Sequence, residues 1–174
     1  MKDRNEFVKA IYAGTFDPIT NGHLDIVYRS LEFCDQLIIG VGINPDKKNM
    51  FTTEERILQI QEAVYKKIGT SHVDVVSFQG LLVEFAKMNG VRLLVRGIRS
   101  VSDFEYEINL ANINKTIAPG IETVFLPTRP ELAVVSSSMV KELAKLGSDV
   151  SRFVPEHIVK QISDKFGFIK FGEK

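Results

Sequence analysis

The sequence predicts an α/β fold, a parallel sheet of five strands flanked by helices, and two observations lead to that prediction. Five short apolar runs alternate with stretches whose apolar residues recur at helical spacing. Each intervening stretch is long enough to form a right-handed crossover between parallel strands. A length of 174 residues fits one domain over 1–174, with a core at about 7–160 and a C-terminal helix and tail over 155–174.

The first half of the chain is expected to hold three strands and three helices. Asn21 is a favourable N-cap for the first helix, and Thr52 with Glu55 forms a capping box for the second. Gly90 ends the third helix. The predicted order is strand 7–13, helix 22–33, strand 36–42, a helix opened by Thr52, strand 73–78 and helix 81–89.

The second half continues the alternation. Ser102 or Asp103 is expected to cap a helix, Gly147 to close the next one and Pro155 to open the last. The tail 166–174 alternates aromatic, glycine and charged residues and has no assigned element. The predicted order is strand 91–95, the helix capped by Ser102 or Asp103, strand 122–126, helix 139–146 and helix 156–166.

Composition argues against several classes of partner. Lys and Arg total 22, as do Asp and Glu, so no net charge attracts nucleic acid or a membrane surface, and any anion site must be local. Cys34 is the only cysteine, which excludes an intrachain disulfide and is typical of a reducing compartment. There is no signal-peptide pattern and no apolar run of membrane length, so the cytoplasm is the expected location.

The candidate site lies at one edge of the predicted sheet. Ligands bind beyond the carboxyl ends of parallel strands, which brings together the loops after strands one, two, four and five. The first loop turns at Gly14 and at Asp17-Pro18, and it ends with His23 in the first turn of a helix. Free N–H groups and the helix dipole suit that turn to phosphate. The alternative is a surface loop that carries one histidine.

Two of the other loops carry cations. Lys47 and Lys48 follow the second strand, where they are either solvated or within reach of the site. Arg96 and Arg99 flank Gly97 after the fourth strand and could clamp phosphate oxygens, with the missing side chain of Gly97 letting a ligand approach. The alternative is a surface pair of arginines bonded to nearby acidic residues, Asp103 or Glu105.

The loop after the fifth strand brings three serines, residues 136–138, to the start of a helix. Serines there are ordinary capping residues, and their hydroxyl groups would also add donors to a triphosphate. Elsewhere, His72 and His157 are expected to be structural or exposed, and no cluster has the spacing of a zinc site, so no metal ligand is predicted. The absence of a GxxxxGK(S/T) loop argues against kinase or GTPase chemistry.

Together these motifs resemble a known family. Gly-Thr-Phe-Asp-Pro at 14–18 followed by Thr-Asn-Gly-His at 20–23 is similar to the signature of the nucleotidylyltransferase superfamily, whose (T/H)xGH motif binds nucleotide phosphates. From about residue 7 to residue 160, the chain resembles the bacterial phosphopantetheine adenylyltransferase family. The other segments that carry this resemblance are 45–51, 95–99, 103–107 and 136–138.

The resemblance implies a Rossmann-like fold of the nucleotidylyltransferase type and a homohexamer. It implies an enzyme that transfers AMP from ATP to 4′-phosphopantetheine, giving 3′-dephospho-CoA and pyrophosphate in coenzyme A biosynthesis. Mg²⁺ would be carried with ATP, since no carboxylate cluster is dedicated to it. The acceptor phosphate is already an anion, so catalysis would need placement and charge stabilisation rather than a protein base.

The resemblance also implies roles for individual residues. His23, Lys47 and Arg96 would be catalytic, with His23 stabilising the transition state. Phosphopantetheine would be bound by Thr15, Lys47, Leu82 and Arg96. ATP would be bound by Thr15, Phe16, His23, Gly97, Ile98, Arg99, Glu107, Leu132, Ala133, Val134, Val135, Ser136, Ser137 and Ser138.

Two rival hypotheses stay open at this point. One is a nucleotidylyltransferase that acts on nicotinamide mononucleotide or glycerol phosphate; the Lys47 loop and the segment 96–99 argue against it, through the resemblance alone. The other is a regulatory module that binds a nucleotide without turnover. A nucleotidylyltransferase with another substrate would release pyrophosphate from ATP with a different acceptor. A regulatory module would release none, whereas the enzyme that the resemblance implies releases it with phosphopantetheine.

Overall fold

The computed structural model of the chain describes residues 7–46, 48–69 and 71–167. Its elements, in chain order, are β1 (Lys9–Gly14), α1 (Asn21–Ser30), β2 (Gln36–Ile43), α2 (Thr53–Ile68), β3 (Val73–Gln79), α3 (Leu82–Met88), β4 (Leu93–Ile98), α4 (Val101–Ile117), β5 (Glu122–Pro127), a short 3-10 turn (Pro130–Leu132), α5 (Ser137–Lys145) and α6 (Glu156–Phe166). The predicted alternation of strands and helices is confirmed, and the 3-10 turn was not expected.

The five strands form one sheet in the order β3-β2-β1-β4-β5, and every neighbouring pair is parallel. The central strand is β1, whose Ile11 pairs with Ile38 on one side and Leu94 on the other. The chain runs outward from β1 in one direction and then in the other, so β1 and β4 meet at the point where the strand order reverses. Open parallel sheets bind ligands at such a point. The predicted α/β fold is therefore confirmed.

Side chains alternate between the two faces of β1, and both faces are buried. Ala10 and Tyr12 belong to one core, which α1, α2, α5 and α6 cover. Ile11 and Ala13 belong to the other core, which is covered by α3 and by the segment after α4. A strand buried on both faces reads as one continuous apolar run, which is why the sequence indicates it clearly.

The first helix begins one residue earlier than expected, because the expected cap was wrong. Thr20, not Asn21, is the N-cap of α1, and its Oγ1 accepts a hydrogen bond from the backbone N–H of His23. The side chain of Asn21 donates instead to the carbonyl oxygen of Arg152, 131 residues along the chain. A contact that remote cannot be read from local sequence.

Two features around β4 also differ from expectation. Ser100 caps α4, rather than Ser102 or Asp103, and its Oγ accepts from the N–H of Asp103. The strand runs three residues further than the predicted 91–95, because Arg96 and the two residues after it pair with β5. The arginine is therefore held by a strand rather than by a loop.

Gly97 has a packing reason to be glycine, in addition to the ligand access that the sequence suggests. A Cβ on this residue would lie 3.0 Å from Cγ1 and 3.3 Å from Cδ1 of Ile26, on α1. The missing side chain therefore makes room for α1 against β4, rather than only for a ligand.

Among the described residues, no helix is long and apolar enough to span a membrane.

We expect Gly97→Ala to lower the free energy of unfolding by about 1–3 kcal/mol, because an added methyl group would overpack the contact with Ile26. Ile26→Ala alone should cost about 2–5 kcal/mol. The double variant should cost less than the sum of the two, since the smaller side chain makes room for the added methyl. Urea denaturation followed by circular dichroism measures all three.

Gly120→Ala is the matched control, because no atom lies within 4 Å of a Cβ built at that position. It should leave the stability unchanged or raise it by up to about 1 kcal/mol. Strict additivity of Gly97→Ala and Ile26→Ala would contradict the proposed contact.

Candidate active site

A pocket of about 500 Å³ opens at the carboxyl ends of the central strands. It is formed by the segments after β1, β2, β4 and β5, as the sequence predicts, together with the start of α5. Its lining residues are Tyr12, Ala13, Gly14, Thr15, Phe16, Asp17, Thr20, Gly22, His23, Ile26, Lys48, Asn49, Arg96, Gly97, Arg99, Asp103, Glu107, Thr128, Val135, Ser136, Ser137, Ser138 and Lys141.

His23 is held by a capping box at the start of α1. The backbone N–H of Thr20 donates to Nδ1 of His23 at 3.0 Å, and the N–H of His23 donates to Oγ1 of Thr20 at 3.3 Å. A ring nitrogen that accepts a hydrogen bond carries no proton, so a neutral imidazole here carries its proton on Nε2. Among the described residues Nε2 has no partner, and the side chain lines the pocket. His23 thus offers the pocket an N–H donor.

The surroundings of His23 keep it neutral. Burial, together with the positive charges of Arg99 and Arg96, lowers the pKa of His23 from 6.5 to about 4. Nδ1 also lies 3.0 Å from Oγ1 of Thr20, whose hydroxyl can donate to the unprotonated nitrogen. A proton added at Nδ1 would lose the hydrogen bond from the N–H of Thr20. Geometry and charge therefore favour the same tautomer, with the proton on Nε2.

The ring of Phe16 packs against the ring of His23. Its side chain is only 2% exposed, and its ring lies edge-on to His23 at 5.1 Å and to Tyr12 at 5.3 Å. Its backbone has φ 49°, in the left-handed region, so the sharp turn falls on Phe16 rather than on Gly14. A Cβ at Gly14 would lie 3.0 Å from the Phe16 ring. Any contact of Phe16 with a ligand therefore falls to its backbone.

Two helices point their N-termini into the pocket, where unpaired N–H groups and the positive ends of the dipoles suit an anion. One is α1, and the other is α5, whose N-cap Ser136 accepts from the N–H of Met139. The hydroxyl of Ser137 donates to the carbonyl oxygen of Pro18 at 2.8 Å, which ties α5 to the loop after β1. Within the part of the chain that the structure describes, the hydroxyl proton of Ser136 has no acceptor and is left for a ligand, whereas that of Ser137 is donated to Pro18.

Arg96 reaches the pocket wall in a fixed orientation. Its Nε donates to Glu107 at 2.7 Å, its Nη2 donates to the other oxygen of the same carboxylate, and its Nη1 donates to the carbonyl oxygen of Ala13 at 2.7 Å. One N–H on each terminal nitrogen is left for a ligand. The carboxylate that the resemblance assigns to ATP binding therefore orients Arg96 in this structure.

The cations of the pocket are largely paired within the chain. Arg99 donates to Asp103 at 2.9 Å, and Lys141 donates to Asp17 at 2.9 Å, as Arg96 does to Glu107. The alternative that Arg99 bonds to Asp103 is thus true, and both residues nevertheless line the pocket. Among the described lining residues four cations face three carboxylates, which leaves a modest positive excess for an anionic ligand.

Most of the residues that the sequence indicates come together here, but not all of them. Lys47 lies outside the described residues. Leu82 begins α3 and packs against the core that contains Ile11 and Ala13, on the face of the sheet opposite α1. Leu82, Ile98, Leu132, Ala133 and Val134 are not among the lining residues, so the structure does not bring them to the wall. The binding roles assigned by resemblance remain predictions.

Sequence reasoning missed Asp17 and Lys141 as a pair. The sequence predicts Asp17 as half of a turn dipeptide, and it assigns Lys141 no role beyond its place in a helix. They are 124 positions apart, and only the fold brings them to 2.9 Å. A signal did exist for Lys141, since it lies one helical turn after Ser137, and residues three or four apart share a helix face.

Comparison with known proteins identifies relatives of this chain. Residues 11–143 match the family model described as cytidylyltransferase-like. A phosphopantetheine adenylyltransferase of Heliobacterium modesticaldum is 48% identical over 158 residues, which are 91% of this chain and 92% of that protein. One from Alkaliphilus oremlandii is 46% identical over 157 residues, 90% of this chain and 98% of the relative.

A solved structure has the same fold at much lower identity. It is a bifunctional NMN adenylyltransferase/ADP ribose pyrophosphatase from Francisella tularensis, with a TM-score of 0.68 and 14% identity. The match covers 91% of this chain and 50% of that one. The similarity in structure therefore extends well beyond the similarity in sequence.

The lowered pKa of His23 predicts how stability depends on pH. An unfolded histidine titrates near 6.5, whereas the folded ring titrates at about 4, so the unfolded chain binds more protons between these values. The contribution of His23 to the free energy of unfolding is complete above about pH 6.5 and is lost as the pH falls towards 4. Urea denaturation across this range should show the slope, and His23→Gln should reduce it.

The tautomer can be checked directly. In a chain labelled with ¹⁵N-histidine, the shifts of His23, assigned with the His23→Gln variant, should show a neutral ring protonated on Nε2 from pH 8 down to about 5. A cationic ring at pH 6, or a proton on Nδ1, would contradict the capping geometry.

Proposed function

The chain belongs to the phosphopantetheine adenylyltransferase family of cytidylyltransferase-like proteins, and from this premise we propose the reaction that its pocket performs. It transfers the adenylyl group of ATP to 4′-phosphopantetheine, giving 3′-dephospho-CoA and pyrophosphate in coenzyme A biosynthesis. The observation that carries this proposal is the convergence of two helix N-termini, a neutral imidazole donor and several cations on one pocket.

The chemistry requires little from the protein beyond placement. A phosphate oxygen of the acceptor attacks the α-phosphorus of ATP; the new P–O bond forms as the bond to pyrophosphate breaks. The nucleophile is already ionised, so no side chain has to remove a proton. Holding two anionic phosphates close together and in line is then the main task, as in other phosphoryl transfers.

His23 is suited to stabilise the transition state as a hydrogen-bond donor. Negative charge grows on the non-bridging oxygens of the α-phosphate, and an N–H that is already oriented meets that charge without reorganisation. The backbone of α1 holds the ring by its other nitrogen, through Thr20. A neutral donor of this kind is not consumed by the reaction and needs no proton return.

Cations on the β2 and β4 sides of the pocket hold the acceptor. Arg96, oriented by Glu107, keeps two N–H groups for a phosphate, and we assign Lys47 the same task by family resemblance. Thr15 is the other predicted phosphopantetheine contact that lines the pocket. These cations oppose the repulsion between the acceptor phosphate and the triphosphate.

Mg²⁺ enters with ATP as part of the substrate. The carboxylates on the described pocket wall are Asp17, Asp103 and Glu107, and each is already bonded to a lysine or an arginine. Within the described residues, no group of three or more histidine, cysteine or acidic side chains could hold a metal ion. The wall therefore does not fit a protein-bound cation, and the ion is bound by phosphate oxygens and water.

The subunits assemble into a homohexamer, and the cytoplasm is the place of action. Support for assembly comes from α4, whose apolar side chains remain uncovered in a single chain: Val101 is 76% exposed, and Ile113 is 55% exposed. Exposed apolar surface of this kind marks an interaction surface. The absence of membrane-length helices from the described residues is compatible with this location.

Pyrophosphate release decides between the proposal and its rivals. Purified chain with MgATP should release pyrophosphate in the presence of 4′-phosphopantetheine and show only background with nicotinamide mononucleotide, glycerol phosphate or no acceptor. Mass spectrometry should find dephospho-CoA as the product. Release with another acceptor would reassign the substrate, and ATP binding with no release from any acceptor would indicate a regulatory module.

His23→Ala should lower kcat by about a hundredfold or more and change ATP affinity by less than about tenfold, because the donor acts mainly in the transition state. His23→Gln, whose amide N–H lies near the position of Nε2, should recover part of that loss. His72→Ala is the control, since His72 is exposed and absent from the pocket wall. If His23→Gln were as inactive as His23→Ala, the ring would act as a cation or an acid instead.

A further inference from the structure

One buried carboxylate joins three of the segments that form the pocket. Asp17 is 1% exposed, and its Oδ1 accepts from the N–H of Phe51 at 2.9 Å. Its Oδ2 accepts from the N–H of Met50 and from Nζ of Lys141, each at 2.9 Å. The loop after β1 is thereby tied to the end of the loop after β2 and to α5.

The segment that these bonds anchor carries groups for the acceptor. Residues 44–46 and 48–49, which we call the acceptor arm, lie between β2 and the two anchored residues Met50 and Phe51. Lys48 and Asn49 of this arm line the pocket. Lys47, one of the four predicted phosphopantetheine contacts, falls in the same stretch of sequence and lies outside the described residues.

A buried guanidinium fixes the other end of the acceptor arm. Arg56 of α2 is 1% exposed and donates to the carbonyl oxygen of Thr15 at 2.7 Å and to that of Gly42 at 3.3 Å. The loop after β1 is thus joined to the end of β2 before the arm, through Arg56, and to Met50 and Phe51 after the arm, through Asp17. Its position relative to the phosphate-binding turn depends on Arg56 at one end and on Asp17 at the other.

Asp17 itself is not placed to do chemistry. Both of its oxygens accept hydrogen bonds from the protein, and the side chain is almost completely buried. Burying a charge in this way costs free energy unless every partner is in place. An uncharged side chain of similar size could fill the same space, so the charge itself calls for an explanation other than packing.

We propose that Asp17 is a positioning residue that sets acceptor affinity by fixing the acceptor arm against the phosphate-binding turn. This inference rests on the proposed function, because it takes phosphopantetheine as the acceptor. The carboxylate aligns the arm through the N–H groups of Met50 and Phe51, and it also accepts a hydrogen bond from Lys141 of α5. Loss of the carboxylate therefore releases the arm, whereas the proposed ATP-binding groups on α1 and β4 do not depend on it. The N-terminus of α5 loses the contact through Lys141 but stays tied to the loop after β1 by the bond from Ser137 to Pro18.

Asp17→Asn is the sharpest variant. The amide has one oxygen, so its NH₂ group must face either the N–H of Phe51 or the donors from Met50 and Lys141, and one anchor is lost. The KM for phosphopantetheine should rise about tenfold or more, while the KM for ATP should change less than about threefold. A merely structural role would reduce the amount of folded enzyme and leave both KM values unchanged.

Asp25→Asn is the matched control. Asp25 is also a buried aspartate paired with cations, Arg29 at 3.2 Å and Arg129 at 2.9 Å, but it does not line the pocket. Both KM values of this variant should stay within about twofold of the parent. Equal KM shifts for ATP and acceptor in Asp17→Asn, or no shift in either, would overturn the proposal.

Hydrogen exchange tests the anchor without relying on activity. In the unsubstituted chain, the amide hydrogens of Met50 and Phe51 should exchange at least about tenfold more slowly than those of Lys48 and Asn49, and Asp17→Asn should remove that protection. Fast exchange at both positions in the unsubstituted chain would overturn the proposal even if the variant failed to fold. Failure of the acceptor assay in the unsubstituted chain would instead count against the proposed function, which keeps the two failures distinguishable.

Discussion

The bond from the backbone N–H of Thr20 to Nδ1 of His23 is the interaction on which the rest of the site depends. It caps the first helix, and it leaves the other ring nitrogen protonated and turned towards the pocket. Helix stability and catalytic geometry therefore rest on the same contact. An imidazole held in this way donates a hydrogen bond without titrating, which suits a reaction in which charge grows on phosphate oxygens and no proton has to be removed.

The electrostatics of the pocket follow from pairing rather than from a high net charge. Arg96, Arg99 and Lys141 each have a carboxylate partner, so the empty pocket does not suffer the full repulsion of clustered cations. The partners also limit rotamer freedom, which lowers the entropy lost when substrate binds. A chain with equal numbers of acidic and basic residues can in this way present a local anion site.

Local sequence was sufficient for the strands, the helices and the turn after β1, because the apolar patterns and caps that specify them lie close along the chain. Buried strands read as apolar runs, and the capping box of Thr52 lies within four residues. It was insufficient wherever a remote partner decided the outcome. Asn21 is expected from the sequence to cap α1 but bonds to Arg152, and Gly97, expected to admit a ligand, also makes room for Ile26. Asp17 is predicted from the sequence only as a turn residue, because its hydrogen-bond partners are also remote along the chain.

A reaction that proceeds by placement makes the distances between loops as important as the residues on them. The parallel sheet brings the carboxyl ends of its strands to one edge, but sheet pairing stops at the strand ends and leaves the loops beyond it unaligned. Two buried charges of opposite sign, Asp17 and Arg56, supply that alignment between the first two loops. A charged group is costly to bury, and apolar packing would be as stable, but only directional hydrogen bonds fix a loop to within a few tenths of an ångström. The polar contacts under the pocket are therefore better understood as geometry for catalysis than as a source of stability.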